Sequence, residues 1–337
     1  MTLRFAAIGL SHDHIYGLCD ALLRGGAELV AIHEPSDALA TRFVARFPQA
    51  RRVATLDAVL DDHGIATIAC AAANPERAGI AITALRRGKD VLMDKPAVTS
   101  LAELGAVEAA ARESGRRFLV MFGERFENRA TVAALRLVAD GAIGTVLHMT
   151  ALGPHRLRAA TRPPWFFERR RSGGILCDIG AHHFDLFVHL AGARPATVVA
   201  ARTGNRAHPQ WPEFEDVGEC LVEAGGLGGF MRVDWFTPDA MPAFGDGRLF
   251  LVGTAGTLEL RKYVDIAGRP GGDHLFLADG AGTRHIDCGG LESGFGARLV
   301  ADLRDGTERV VSQAHGFAAC RLALAAQAIA DAAGGAP

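Results

Sequence analysis

The sequence predicts an α/β chain. A doubly wound, parallel-sheet domain over residues 1–122 is followed by an α+β domain over residues 123–337 with a large, mainly antiparallel sheet. Three observations predict this. Up to about residue 122, short apolar runs alternate with longer amphipathic ones, as in βαβ units. Beyond residue 145, runs of period-two alternation separated by glycine-containing turns take over. With 337 residues, 49% of them hydrophobic and 22% charged, the chain exceeds one ordinary core and can fill two.

In the first part, strands are expected at 5–8, 28–33, 65–69, 90–93 and 117–121. Helices are expected at 15–24, 38–47, 78–87 and 101–113. Gly25-Gly26, Gly88 and Gly115 stand after the helical runs, where a left-handed residue ends a helix. In the second part, Gly225-Gly226-Leu227-Gly228-Gly229 separates alternating runs at 219–224 and 230–236, a hairpin signature. The pairs 249–252 with 257–260 and 275–278 with 283–287 repeat the device. A helix beginning near Asp178 is expected to cover one face of the sheet, and 317–332 reads as a closing helix.

A formal net charge of -2 and the absence of a basic run leave no electrostatic footprint for nucleic acid. The six cysteines are scattered without a Cys-x-x-Cys pair, so neither a disulfide nor a zinc framework is implied. The N-terminus opens on a strand, not a secretory signal, and no run is expected to span a membrane. The expectation is a cytoplasmic protein with a small-molecule partner.

Three segments carry chemistry. Gly9-Leu10-Ser11-His12-Asp13-His14 fills the first strand-to-helix turn, where a dinucleotide-binding unit has Gly-x-Gly-x-x-Gly; only the first glycine is present. Val91-Leu92-Met93-Asp94-Lys95-Pro96 ends a buried strand with Lys95 at its carboxyl end, the ligand side of a parallel sheet. Gly173-Gly174-Ile175-Leu176-Cys177-Asp178-Ile179-Gly180-Ala181-His182-His183-Phe184-Asp185, read as one helix start, puts Asp178 and His182 on one face. A carboxylate and an imidazole presented together suit proton transfer.

These segments resemble the Gfo/Idh/MocA family of nicotinamide-dependent oxidoreductases. Its hallmarks are Glu-Lys-Pro after a Rossmann strand and Gly-Gly-x-x-x-Asp-x-Gly-x-His in the second domain. Gly123-Glu124-Arg125-Phe126 looks like its Arg-Phe element, 140–146 like its Gly-x-Ile-Gly connector, and 253–258 like its late hairpin. The resemblance implies an N-terminal Rossmann domain, NAD(P) as cofactor and hydride transfer to or from a hydroxyl-bearing carbon of a sugar, cyclitol or related polyol. His182 is then the proton acceptor, Lys95 stabilises charge on the reacting oxygen, and Asp178 fixes a substrate hydroxyl or the imidazole.

Cofactor binding is expected from Gly9, Ser11, His12, His14, Glu34, Asn74, Asp94 and Lys95. Glu34 ends the second strand, where an acidic group binds ribose hydroxyls and repels a 2′-phosphate, so NAD is expected over NADP. Asn74-Pro75 reads as a turn beside the nicotinamide ribose. Asp94 replaces the family's glutamate, and Ser11 and His14 replace its later glycines. No metal is expected, since neither His12-x-His14 nor His182-His183 shows a third ligand. Some of Arg156, Arg158, Arg162 and Arg169-Arg170-Arg171 are candidates to line the pocket. Two alternatives stay open: a non-catalytic dinucleotide-binding sensor, and a lyase, hydrolase or epimerase using NAD transiently. A homodimer or homotetramer is expected, with Met231, Val233 and Trp235 as candidates for a buried sheet face.

Overall fold

The structure, a computed structural model, describes residues 2–334. It forms two compact units, one up to Met121 together with Gly294–Ala318, the other Phe122–Ser293 with the chain from Ala319 onward.

The first unit runs β1 (Arg4–Ile8), α1 (His14–Arg24), β2 (Glu28–His33), α2 (Asp37–Arg46), β3 (Arg51–Arg52), α3 (Leu56–Leu60), β4 (Thr67–Cys70), α4 (Asn74–Arg86), β5 (Asp90–Asp94), α5 (Leu101–Ser114) and β6 (Phe118–Met121). Its six strands are parallel in the order β3-β2-β1-β4-β5-β6. Strands β4 and β5 and the edge strand β6 are buried at every position, as strands covered on both faces are. Gly26, Gly88 and Gly115 have positive φ after their helices, as expected. Asn74 and Pro75 form the first turn of α4 rather than a free turn; proline suits that position because its missing N–H has no helical acceptor.

The second unit contains α6 (Gly123–Phe126), α7 (Arg129–Ala139), β7 (Val146–Pro154), α8 (Arg169–Ser172), α9 (Ile175–Asp178), α10 (Ala181–Ala191), β8 (Thr197–Gly204), β9 (Val217–Ala224), β10 (Leu227–Asp234), β11 (Arg248–Gly253), β12 (Gly256–Arg261), β13 (His274–Asp279) and β14 (Gly282–Asp287). Its sheet has eight strands in the order β14-β13-β12-β11-β7-β10-β9-β8. All pairings are antiparallel except β7 with β10. The hairpin turn is only Gly225-Gly226, both at positive φ. Gly228 and Gly229 lie inside β10, where a Cβ on Gly229 would come within 2.7 Å of Phe187 and of Val222, so helix α10 packs onto bare backbone.

One face of this sheet is covered by α7, α9 and α10. Met231 and Val233 on β10 and Trp235 just after it are buried, so they do not form an open face. Residues of opposite parity do: Leu221, Phe230, Thr150, Phe250, Glu259 and Phe276 succeed one another across the register, and Leu221 is exposed.

Two helices follow the sheet, α11 (Phe295–Asp305) and α12 (Gln313–Gly334). Residues 294–318 pack with the first unit, although the sequence reading ended that unit at 122. A Cβ on Gly296 would come within 2.2 Å of the Ala21 carbonyl of α1, and the Arg117 guanidinium donates to the carbonyls of Asp302, Leu303 and Thr307 at 2.7–3.1 Å. Against expectation, α12 is long and apolar enough to cross a membrane, with a mean hydropathy of 1.2 over its best window; half of that window is buried within the protein. All six cysteines are buried thiols, none joined in a disulfide, and burial pushes those of Cys19, Cys70, Cys177, Cys220 and Cys288 upward.

Candidate active site

In the first unit the strand order reverses between β1 and β4, and ligands of such sheets sit beyond the strands' carboxyl ends. Gly9 follows β1 there. Its φ is +66°, and a Cβ would come within 2.4 Å of the Ala72 Cβ, so a side chain is excluded twice over. The Leu10 N–H donates to Glu34 Oε2 at 2.7 Å and the Ser36 N–H to Oε1 at 2.8 Å. Glu34 is therefore locked at the end of β2, and each oxygen keeps a lone pair able to accept from a ribose hydroxyl. Pro35 and Ser36, not an arginine, follow Glu34 in the sequence. The structure brings Arg52 there from β3: it donates to the Glu34 carbonyl at 2.9 Å and pairs with Asp37 at 2.6 Å.

Strand β5 ends on Asp94, with Lys95 next. Asp94 is held from two sides. His14 Nδ1 lies 2.8 Å from Oδ1, and the Arg77 guanidinium donates to Oδ2 at 3.0 Å. Arg77 also donates to the carbonyls of Ala72, Asp94 and Pro96 at 2.8–3.1 Å. Burial alone would raise the Asp94 carboxyl, but His14 and Arg77 outweigh it and hold it well below the usual range. The His14 imidazole thus replaces the third glycine and bonds to a carboxylate one carbon shorter than the family's glutamate. His12 lies beside them, its Nδ1 3.6 Å from Asp94 Oδ2 and accepting from the His14 N–H at 3.2 Å. Its imidazole is brought down to about 3, chiefly by burial and next by His14, with Lys95 and Arg77 adding and Asp94 opposing. Lys95 is buried, 6% exposed, within electrostatic reach of His12. Arg77 carried no signal in the sequence; it lies inside a helix and gains its role only through a strand 17 residues later.

The donor set fits a dinucleotide. Glu34 offers ribose acceptors, while Lys95 and the two imidazoles gather cationic or donor groups in the turn that lacks glycines.

In the second unit, Asp178 and His182 do not share one continuous helix. Helix α9 ends at Asp178 and α10 starts at Ala181. The break is at Gly180, where a Cβ would come within 2.3 Å of the Leu176 carbonyl and the N–H reaches back to Ile175 at 3.2 Å. His182 is buried in the first turn of α10. Beside it stands a buried charge pair that sequence reasoning missed: Lys262, fully buried after β12, binds the Glu124 carboxylate of α6. Burial alone would raise Glu124, but Lys262, then His182 and His183, hold it well below the carboxylate range. His183 is buried against Gly153 of β7, its Nδ1 without a hydrogen-bond partner among the described residues. Burial brings it down to about 3, with Glu124 opposing and Lys262 and His155 adding.

Arg125 of α6 donates to Asp185 of α10 at 2.7 Å, a buried pair that fixes the helix carrying His182. Asp178 lines a cleft with Phe166, Arg169, Ile175, Glu215 and Trp235. Of the arginines expected to line a pocket, Arg169 does so but is paired with Asp331 at 2.6 Å and Glu215 at 3.4 Å. Arg162 stacks on Phe166 and Trp235, at 4.4 and 5.0 Å from their centroids.

Residues 4–122 match the oxidoreductase family with an NAD-binding Rossmann fold, and residues 131–259 match the Gfo/Idh/MocA C-terminal domain. The chain belongs to the Gfo/Idh/MocA family. A solved structure from Erwinia carotovora atroseptica SCRI1043, classed as an oxidoreductase, shares 40% identity and a TM-score of 0.94 with this Gfo/Idh/MocA protein over 98% of this chain and 99% of that one. Inositol 2-dehydrogenase 2 of Saccharopolyspora erythraea is 28% identical over 80% of this chain and 78% of its own. The scyllo-inositol 2-dehydrogenase (NAD(+)) of Bacillus subtilis is 26% identical over 75% of this chain and 73% of its own.

Proposed function

We propose that this Gfo/Idh/MocA protein is an NAD-dependent oxidoreductase that interconverts a hydroxyl-bearing carbon and the corresponding carbonyl on a cyclitol, sugar or related polyol. The relatives named as inositol dehydrogenases support the substrate class. The observation that carries the nucleotide reading is Glu34, fixed at the end of β2 by two backbone N–H groups. Its carboxylate accepts from the adenosine ribose hydroxyls and repels a 2′-phosphate, while the nearby Arg52 is already paired with Asp37.

Bound NAD supplies a two-electron couple that takes up or returns a hydride. His182 takes the hydroxyl proton at a ring nitrogen, the task for which imidazole is suited near neutral pH. Glu124, whose carboxyl is held well below the usual carboxylate range by Lys262, then His182 and His183, lies within electrostatic reach of His182. Lys95 hydrogen-bonds the reacting oxygen and stabilises negative charge on it. Asp178 fixes a substrate hydroxyl or the His182 imidazole. We further propose a cytoplasmic homo-oligomer assembled through the Leu221–Phe230–Phe250–Phe276 face.

The test is a panel of inositols, sugars and sugar acids with NAD, followed at 340 nm. Reduction of free NAD supports the dehydrogenase. A resident cofactor that cycles without net reduction supports the lyase or epimerase alternative, and binding without turnover supports a sensor.

A further inference from the structure

The His12-x-His14 pair finds a third ligating group in the folded unit, from a strand some 80 residues later. One ligand atom from each of His12, His14 and Asp94 lies within 4.8 Å of the others. His14 Nδ1 is 2.8 Å from Asp94 Oδ1 and His12 Nδ1 is 3.6 Å from Oδ2. Each separation is near the edge of about 3.3 Å expected of a tetrahedron with metal–ligand distances of about 2.0–2.1 Å, the two imidazoles facing different oxygens of the one carboxylate. The two rings meet edge to face, centroids 4.1 Å apart.

We propose that His12, His14 and Asp94 form a binding site for a divalent cation of the zinc and cobalt type. The carboxylate is already oriented: Arg77 grips Oδ2 from the buried side, an outer-shell contact of the kind that fixes metal ligands. The imidazoles provide the entry path, since their side chains are 35% and 43% exposed while that of Asp94 is 1% exposed. Chemistry selects the ion. Two imidazoles and one carboxylate suit Zn²⁺, Co²⁺ or Ni²⁺, whereas Mg²⁺ and Ca²⁺ prefer an all-oxygen shell. Arg77 offsets the carboxylate charge, which further disfavours cations held by charge alone. Its own charge is shared with three backbone carbonyls, which limits the repulsion. Three protein ligands leave a fourth position for water or another oxygen.

The proposal stands independently of the oxidoreductase reading. Its test is titration of the full-length, chelator-treated, nucleotide-free protein with Co²⁺, read by the visible absorption of four-coordinate cobalt, and with Zn²⁺ by calorimetry. The expected result is one ion per chain, with His12→Ala and His14→Ala each weakening binding at least about tenfold. Both imidazoles are partly exposed, so these variants are expected to fold, and circular dichroism checks that they do. His274 and His285 form another close imidazole pair, 3.3 Å apart, so His285→Ala is the control. Binding lost in His285→Ala but kept in His14→Ala overturns the proposal, as does the absence of a four-coordinate cobalt spectrum.

Discussion

Arg77 donates to Asp94 at 3.0 Å with both side chains 1% exposed. This pair sits under the altered turn after β1, and it ties α4 to the end of β5. Removing one member leaves the other charged and buried, which costs about 3–5 kcal/mol. Arg77→Met is expected to lower unfolding stability by that order, measured by denaturant titration. Adding Asp94→Asn to that variant should recover part of the loss; no recovery would mean that the carbonyl contacts of Arg77, not the ion pair, hold the turn.

Acid should weaken the second unit through His183. Its folded imidazole is brought down to about 3, while an unfolded histidine titrates near about 6.5. Between those values only the unfolded chain binds the proton, so stability rises with pH. The contribution is complete above about pH 6.5 and is lost as the pH falls toward about 3. Denaturant titrations across this window should show that slope, and His183→Asn should flatten it. An unchanged slope would place the acid sensitivity elsewhere.

NAD is expected to bind more tightly than NADP, and Glu34→Ala should narrow the gap. Calorimetry reads both. Tighter NADP binding by the unaltered protein would shift the weight to Arg52 as a receptor for the 2′-phosphate.

The open face of the eight-stranded sheet predicts self-association. Light scattering at micromolar concentration should report a dimer or larger. Phe230→Asp and Phe250→Asp, in the register row that also holds Leu221 and Phe276, should lower the mass. A monomer mass for the unaltered protein contradicts the proposed assembly.

Most regular elements of the first unit were legible because each buried strand is a compact apolar run between amphipathic helices; β2 falls on the expected residues 28–33, whereas the short β3 and α3 carried too little pattern to be read. Strands β7 and β8 escaped for physical reasons. β7 carries Gly153 and Pro154 and pairs in parallel with β10, a non-local contact without local pattern. β8 is an edge strand without a buried position, so no alternation marks it. The same division holds at the candidate site. Lys95, Asp178 and His182 stood out through their motifs. Arg77, Lys262 and the Asp94 contact with His14 depend on side chains brought together from distant segments, and spacing alone does not encode them. The break at Gly180 was hidden because a glycine there also fits a continuous helix.

The central claim is that His182 carries the proton. The measurement is turnover as a function of pH in the oxidative direction, for the unaltered protein and for His182→Ala and Lys95→Ala. Each variant should lose roughly two to four orders of magnitude in turnover, with a far smaller change in NAD affinity for His182→Ala. Turnover of the unaltered protein should rise with pH through one group titrating near neutrality, and that limb should vanish in His182→Ala. A His182→Ala variant with near-normal turnover and the same limb would contradict the account.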